Sequence, residues 1–586
     1  MQTPSLPRLL HHNDQALEEL RPVGQLAGLQ IKSSKRKLRI GLLIDSFEQQ
    51  RWIHFIIESI KSSPYAELAL VVKNQAAAGE KPVKRSRLGA YWKNRDYLLY
   101  ALYQKYDERK HRSDDHDAFE LMSIEGLVSD CPVVEVTPVM KKHSDWFPQE
   151  DVERIRKHDI DVALRFGFRI IKGDALQIAK YGIWSFHHGD NFVNRGGPAG
   201  FWEVFESEPV TGSILQILTE ELDSGKVLCR SWAPTSDKFS VKANRNNYYW
   251  KSAPLMLVKL KELYENGSVQ VLNEADFTPY SNRLYKMPTN GELLPSLLKL
   301  AGRYVGSKLK YLTHFNQWVL AYRFKSNPDD PNTTIYRYNY LIPTKDRFWA
   351  DPFPVKSDGK YYVFFEEYIY KKGKGTIAAL EIDRSGVTKD PVTVLERPYH
   401  LSYPFIFEWQ GRHYMIPDSS DNKTVELYRC TRFPHEWEFD GVLLDGISAT
   451  DSTVIEFDGV WWMFLNVGAQ GVSCPWDELH LYYADRPDGE WKPHPQNPVK
   501  LDVKSSRPAG RPFYWNGDLL RPAQDGSQRY GYAITFNKVI RLTKKEYLEE
   551  PVSKIYPNWD KRVIGTHTFN SAEDLTVIDC LMTTRK

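Results

Sequence analysis

The chain has 586 residues, more than one hydrophobic core usually supports, so roughly two to four domains are expected. With 41% hydrophobic, 13% aromatic and 26% charged residues it has ample apolar area for packed cores, which excludes wholesale disorder. Lys and Arg number 78 against 75 Asp and Glu, a net +3, and so even a balance excludes the electrostatic footprint of a dedicated nucleic-acid binder.

Residues 1–37 are polar and punctuated by proline, and they read as a flexible leader. Beyond it LRIGLLID predicts a buried strand from Leu38, residues Gln49 to Ser62 a helix, and ELALVVK a second strand. A helix around Tyr91 to Glu108 follows, then the strand CPVVEVTPV, a helix from Pro148 to Lys157, the strand DIDVALRFGF, a short helix from Gly173 to Lys180 and the strand GIWSFHHGD. This alternation predicts an α/β domain built on a Rossmann-type parallel sheet. TGSILQILTEELDSGKVLCRSWAP adds two strands around a polar turn, and an amphipathic helix closes the domain near Gly267. Residues 268–315 read as a connector with one helix, Glu292 to Leu312. Residues 316–586 are all strands and turns.

The second half repeats. DPFPVKSDGKYYVFFEE from Asp351, YPFIFEWQGRHYMIPDS from Tyr403, DSTVIEFDGVWWMFLNV from Asp451 and AGRPFYWNGDLLRPAQD from Ala509 each place a hairpin glycine eight residues in. The starts lie 52, 48 and 58 residues apart, the spacing of propeller blades. A fifth unit with an altered turn is expected from Thr566, and the strand QWVLAYRF from Gln317 is expected to pair with the C-terminus and so remove the exposed edges. The predicted architecture is therefore an α/β domain over 38–267 followed by a five-bladed β-propeller over 316–586.

The five cysteines, Cys131, Cys229, Cys430, Cys474 and Cys580, have no metal-ligand spacing, so neither a disulfide framework nor a zinc site is expected, and no metal. The N-terminus lacks a basic segment followed by an apolar one, and no eighteen residues form an uncharged apolar run. A cytoplasmic protein without signal peptide or membrane span is the expectation.

Chemistry in the first half concentrates between Gly182 and Leu228. Ser185 and His187 lie at a strand end, the loop NRGGPAG spans residues 194–200, and Asp223 sits in the turn LDSGKVL. The run GIWSFHHGD, NRGGPAGFWEV, TGSILQILTEELDSGKVL resembles the formyltransferase family that uses 10-formyltetrahydrofolate, with LRFGFRIIKGDAL matching that family's Gly-Phe loop. The resemblance implies a formyltransferase-like fold over 38–267. His187 would be the acid/base, Asp223 its polarising partner and Ser185, where the family has Asn, an oxyanion donor. Gly167 and Phe168 would line the folate donor and Arg195 would shape the acceptor side. A histidine near neutral pKa beside a carboxylate suits formyl transfer to an amine, which must lose a proton as it attacks.

In the second half Asp351 and Asp451 share the first repeat position, Asp418 and Gln524 share a later one, and Arg507, Arg511, Arg521 and His567 are further candidates near the axis. ADPFPV and TDSTVIEFDG resemble five-bladed furanosidase-type glycoside hydrolases. LSYPFIFEWQGRHYMIPDSS, DELHLYYAD, RPAGRPFYWNGDLLRPAQD and GTHTFN resemble the propeller at the N-terminus of plant glucosamine inositolphosphorylceramide transferases. Glycoside hydrolysis requires a protonated and an ionised carboxyl. Asp351 supplies one, and Asp418 or Glu366 the other, since no glutamate occupies a matching strand start. The leading expectation is N-formylation of an amino sugar or nucleotide-linked sugar, in surface-polysaccharide synthesis, with a propeller that recognises carbohydrate. The alternatives are a propeller-centred hydrolase or glycosyl transferase on a modified formyltransferase scaffold, and a non-catalytic glycan-binding module.

Overall fold

The computed structural model describes residues 36–76, 95–111, 116–191, 193–221, 225–235, 239–272, 280–325, 335–468 and 477–586, and the backbone of Leu26–Leu29. The chain forms two compact units, whose boundary in the sequence falls at Tyr304 and Val305.

The first unit is built on a seven-stranded sheet of β1 (Leu38–Ile44), β2 (Ala66–Asn74), β3 (Val133–Val136), β4 (Val162–Arg165), β5 (Ile183–His187), β6 (Val210–Ile217) and β7 (Lys226–Pro234), in the order β7-β6-β5-β4-β1-β2-β3. The first five strands pair in parallel, while β6 and β7 run antiparallel. A parallel strand covered on both faces carries a continuous apolar run, and all of β1 except Arg39 is buried. Helix α1 (Arg51–Ser62) turns Trp52, Ile53, Ile56, Ile57 and Ile60 inward, a helical period that matches one buried face. Strand order reverses between β1 and β4, so the crevice beyond their carboxyl ends, next to the end of β5, is the place where such sheets bind ligands.

Three expectations are adjusted. The leader is not without structure, since Leu26–Leu29 pairs antiparallel with Val269–Leu272, so residues on either side of the expected 38–267 domain supply one more strand pair. The helix expected from Tyr91 begins at Leu98 and runs to Lys110, preceded by a 3-10 turn at Arg95–Tyr97, and residues 91–94 lie outside the described residues. The segment from Gly173 is a 3-10 turn ending at Gln177, in which Gly173, at φ +74°, lies where a Cβ would sit 2.7 Å from the Trp146 ring.

Among the described residues the second unit contains five antiparallel sheets. Sheet I comprises Arg347–Ser357, Lys360–Ile369, Lys374–Asp383 and Gly386–Leu395, and sheet II comprises Ser402–Trp409, Arg412–Ser419, Thr424–Arg432 and Glu436–Asp445. Sheet III is built on Ala449–Phe457, Val460–Val467 and Glu478–Ala484, and sheet IV on Phe513–Trp515, Asp518–Asp525, Ala533–Leu542 and Tyr547–Ile555. In sheet V the last strand, Leu575–Arg585, pairs with His314–Phe324 from His314 against Arg585 to Phe324 against Leu575, as the closure argument expected.

Each sheet shares a core with the next. Phe364 of sheet I packs with Ile406 and Met415 of sheet II, and Phe405 of sheet II with Met463 of sheet III. Phe464 of sheet III packs with Tyr547 of sheet IV, Phe536 of sheet IV with Ile578 of sheet V, and Leu320 of sheet V with Phe365 of sheet I. The aromatics of the repeat thus serve mainly as core, burying large apolar area between sheets.

The repeat also fixes backbone geometry. The hairpin residues Asp358, Gln410, Asp458 and Asn516 have positive φ and are each followed by a glycine that also has positive φ, the requirement of the tight turns that match strand twist. In the fifth unit Glu573 takes positive φ but Asp574 replaces the glycine. At the other end of the first strand Asp351, Tyr403 and Asp451 adopt φ of +52°, +43° and +55°, and each lies at a break in register with the second strand. These bulges bend the strand and re-aim the side chain beside them.

Candidate functional site

In the first unit His187 ends β5, half-buried, and its neighbour His188 is fixed. The His188 ring stacks on Tyr249 at 3.6 Å between centroids, its Nδ1 meets Ser213 Oγ at 3.2 Å, and burial lowers its pKa well below the ordinary value. His188 is thus a neutral packing group, which leaves His187 as the candidate for proton transfer. Asp223, the expected partner of His187, lies outside the described residues.

Other predicted residues are committed to the fold. Ser185 is 2% exposed and its hydroxyl donates to the Phe186 carbonyl at 3.2 Å, so it is not presented as the free oxyanion donor that the resemblance implied. The Gly167 N–H donates to the Leu43 carbonyl and the Phe168 N–H to Asp45 Oδ1 at 2.9 Å, while the Phe168 ring is buried against Phe147. A pterin at this loop would have to use the carbonyls. Arg195 donates from Nε to the Asn191 carbonyl at 2.8 Å and lies over the Tyr280 ring. Two of the loop glycines are packing glycines: a Cβ on Gly196 would sit 2.1 Å from the Tyr285 carbonyl oxygen, and one on Gly200 2.7 Å from the Tyr248 ring.

The second unit gathers a denser cluster. Asp351 accepts from Thr568 Oγ1 at 2.7 Å and lies 3.8 Å from His567 Nδ1, which is 2.5 Å from Asp579 Oδ2. Asp579 also accepts from the backbone N–H groups of Asp351, His567 and Thr568, which ties sheet I to sheet V. Burial alone would lower the His567 pKa, but Asp579 and Asp351 outweigh it and hold it above the ordinary value. Burial pushes Asp351 up to about 6, with His567 opposing and Asp451 adding to the rise.

Asp451 accepts from Arg507 Nε at 2.5 Å and Nη2 at 3.2 Å, and from Gln524 Nε2 at 2.8 Å. Burial raises its pKa and the guanidinium opposes the rise. Asp418 is also raised by burial, and accepts from the Ser420 N–H at 2.9 Å. Glu366 completes the group. It is buried, 3.4 Å from His400 Nε2, and its pKa stands well above the usual carboxylate range through burial and then the charges of Asp351, Asp418 and Asp451.

Glu366, Asp418, Asn466 and Gln524 all lie seven residues beyond a hairpin glycine, so counting from the turn finds the glutamate that strand starts had not supplied. Asp351, His567 and Asp579 are, among the described residues, the one group whose side-chain donors converge closely enough to hold a metal, within 4.8 Å.

Two arginines depart from expectation. Arg521 is 1% exposed and pairs with Glu549 at 2.6 Å while donating to the Ser505 and Ser506 carbonyls, so it ties strands together and does not face the carboxyl cluster. Arg511 donates to the Ile406 carbonyl and lies over the Phe405 ring, and burial lowers its pKa to about 10. It engages no carboxylate among the described residues.

Around the cluster stand rings. Trp318 stacks on His567 at 4.1 Å, and Tyr530, 39% exposed, lies edge-on to His567 at 5.4 Å with Arg507 over its face at 5.3 Å. Buried carboxyls of raised pKa beside a partly exposed ring can bind and polarise a polyhydroxylated ligand.

Residues 340–574 match the family profile described as glucosamine inositolphosphorylceramide transferase 1, N-terminal. The chain is 36% identical over 209 residues to glucosamine inositolphosphorylceramide transferase 1 of Oryza sativa subsp. japonica, a match covering 35% of this chain and 28% of the rice protein. It is 34% identical over 208 residues to the protein of the same name from Arabidopsis thaliana, covering 35% and 27%. The match thus spans under a third of the length of these curated relatives. Among solved structures, a family 117 glycoside hydrolase from Zobellia galactanivorans aligns at 16% identity and TM-score 0.30, covering 45% of this chain and 90% of its own. A glycinamide ribonucleotide transformylase from Symbiobacterium toebii aligns at 14% identity and TM-score 0.26, covering 40% and 94%.

Proposed function

We propose that the protein is a carbohydrate-directed transferase. In this reading the five sheets of the second unit are the blades of a five-bladed β-propeller, and the carboxyl cluster on its axis holds the sugar. The observation that carries the reading is the meeting of Asp351, Glu366, Asp418 and Asp451, drawn from three sheets and mutually coupled by charge. The sugar named in the relatives' descriptions supports a carbohydrate ligand. The first unit then performs group transfer to an amine, with His187 taking the proton that the attacking nitrogen loses and 10-formyltetrahydrofolate as the formyl donor.

The test is twofold. Titration of the full chain with a panel of amino sugars and oligosaccharides should show binding that Asp351→Asn weakens. Incubation with 10-formyltetrahydrofolate and the bound amino sugar should release tetrahydrofolate in the wild type and not in His187→Ala. Binding without turnover across the panel would overturn the formyl-transfer half and leave a glycan-binding module.

A second reading has its own support. The pKa of Glu366 is pushed well above the usual carboxylate range by burial, beside Asp351, which burial raises to about 6, and glycosidic bond cleavage or transfer requires two carboxyls of unlike acidity. Release of sugar from an aryl glycoside panel, lost in both Glu366→Gln and Asp351→Asn but kept in His187→Ala, would favour it.

A further inference from the structure

Helix α2 (Phe201–Glu206) carries a charge where an apolar residue belongs. Phe201, Trp202, Val204 and Phe205 are all buried, and so is Glu203, at 3% exposure, in the middle of them. Its Oε2 is buried without a hydrogen-bond partner, and among the described residues Glu203 forms no ion pair. The backbone N–H of Glu203 itself and the Asn194 side chain donate to the carboxyl, while Oε2 has no partner. Leaving a buried acceptor unpaired costs about 1–3 kcal/mol, and more when it is charged, so a fold that retains one at a cavity wall is arranged for something that enters.

There is such a cavity. Glu203 lines a space of about 120 Å³ whose wall also includes Asn194, Trp202, Glu206, Glu208 and Asn282. The inner residues Asn194 and Glu203 are buried, while Glu206, Glu208 and Asn282 are exposed at the rim. The negative charge of Glu206 is met by Arg283 at 3.0 Å and by the Tyr285 hydroxyl at 2.8 Å, and Arg283 is itself held over the Trp202 ring at 4.4 Å. The buried carboxyl has no such counterpart.

We propose that this cavity is a recognition site for a primary ammonium group, specifically the amine of an amino sugar, with Glu203 as its counter-ion. The wall offers carboxylate and amide oxygens and no described histidine or cysteine, and the cavity's carboxylates do not converge in the way that ligands around a metal do; that convergence occurs elsewhere, at Asp351, His567 and Asp579. Separated acceptors suit an ammonium, which spreads three N–H donors. The cavity of about 120 Å³ has room for an amine and the carbons next to it.

The site also adjoins the first unit's candidate base. A Cβ on Gly189 would lie 3.1 Å from His187 Nε2 and 3.3 Å from the Asn194 carbonyl oxygen, so the imidazole and the residue bound to Glu203 flank one glycine. The assignment of the ligand as an amino sugar rests on the proposed transfer to an amine, whereas ammonium recognition stands on the cavity alone.

Calorimetric titration of the full-length protein with glucosamine and with N-acetylglucosamine, without folate, tests it. Glucosamine should bind, and N-acetylglucosamine, which has no ammonium, at least tenfold more weakly. Glu203→Gln should lose affinity for glucosamine by at least tenfold. If that variant does not fold, Asn282→Leu, at the exposed rim, should show the same loss by narrowing the entrance. Equal affinity for the two sugars, no glucosamine binding, or full affinity in the rim and floor variants would overturn the proposal. Amine binding with no tetrahydrofolate release would reject formyl transfer and leave the ammonium site standing.

Discussion

His567 and Asp579 form a buried pair, Nδ1 to Oδ2 at 2.5 Å, with the imidazole 2% and the carboxylate 0% exposed. Asp579 also accepts the N–H groups that hold Asp351 and Thr568 in place, so its charge organises the strand that presents the cluster. Asp579→Asn keeps the shape but removes the carboxylate that lies closest to the buried His567 ring and raises its pKa. The expected cost is about 3–5 kcal/mol in urea denaturation at pH 7. An unchanged midpoint in Asp579→Asn would show the pair to be incidental.

Asp351 is tested by backbone and charge together. Its φ of +52° is a region that Asn and Asp enter more readily than Ala, and its carboxyl is raised by burial to about 6. A carboxyl with a raised folded pKa contributes stability below its unfolded value, near 3.8, and that contribution is lost as pH rises through about 6. Above pH 7, therefore, Asp351→Asn should be as stable as the wild type or more so, whereas Asp351→Ala should lose about 1–2 kcal/mol from the left-handed backbone and the unpaired Thr568 hydroxyl. Both should lose carbohydrate binding. A stable Asp351→Asn that binds sugar normally would remove this residue from the site.

The architecture was legible because its signals are local. Hairpin glycines at a fixed interval and alternating strands depend on residues near in sequence, and they led to the strand-rich sheets of the second unit, the pairing of its first and last strands and the placing of Asp351 and Asp451. The site was less legible because partners come from afar. Arg511 meets a carbonyl 105 residues away and Arg521 a carboxylate 28 residues away, so composition around them could not say that both were already engaged. Glu366 was in reach, since the count that equates Asp418 with Gln524 also reaches Glu366 and Asn466. Glu203 was not, because FWEVFE signals a buried charge only once the burial of its neighbours is known.

Arg507 and Asp451 should behave as one unit. The guanidinium meets both carboxylate oxygens, and its pKa is raised because Asp451 outweighs the effect of burial. Arg507→Met strands a buried carboxylate with Gln524 as its main remaining donor, at an expected cost of about 3–5 kcal/mol, and Asp451→Asn strands the guanidinium. The double variant should recover part of the loss, giving a coupling energy above about 1 kcal/mol in a double-mutant cycle. Additive losses would mean that the two charges are each satisfied by other groups.

Glu203 gives the sharpest dependence on pH. Burial lifts its pKa from the ordinary 4.5 to about 7, the Asn194 hydrogen bond opposes the rise, and Glu208 and Glu206 add to it. The folded state therefore holds a proton that the unfolded chain releases near 4.5, and the stability this contributes is present below that pH and lost as pH rises through about 7. Glu203→Gln mimics the protonated form at every pH. It should match the wild type at pH 4 and exceed it at pH 8.5 by an amount on the order of 3 kcal/mol, the equivalent of the shift. Adding glucosamine at pH 8.5 should narrow the gap, because a bound ammonium stabilises the ionised wild type and not the amide variant. Thermal melts of the two proteins at pH 4, 6 and 8.5, with and without the amine, would register this crossing, and a gap independent of pH would place the titrating proton elsewhere.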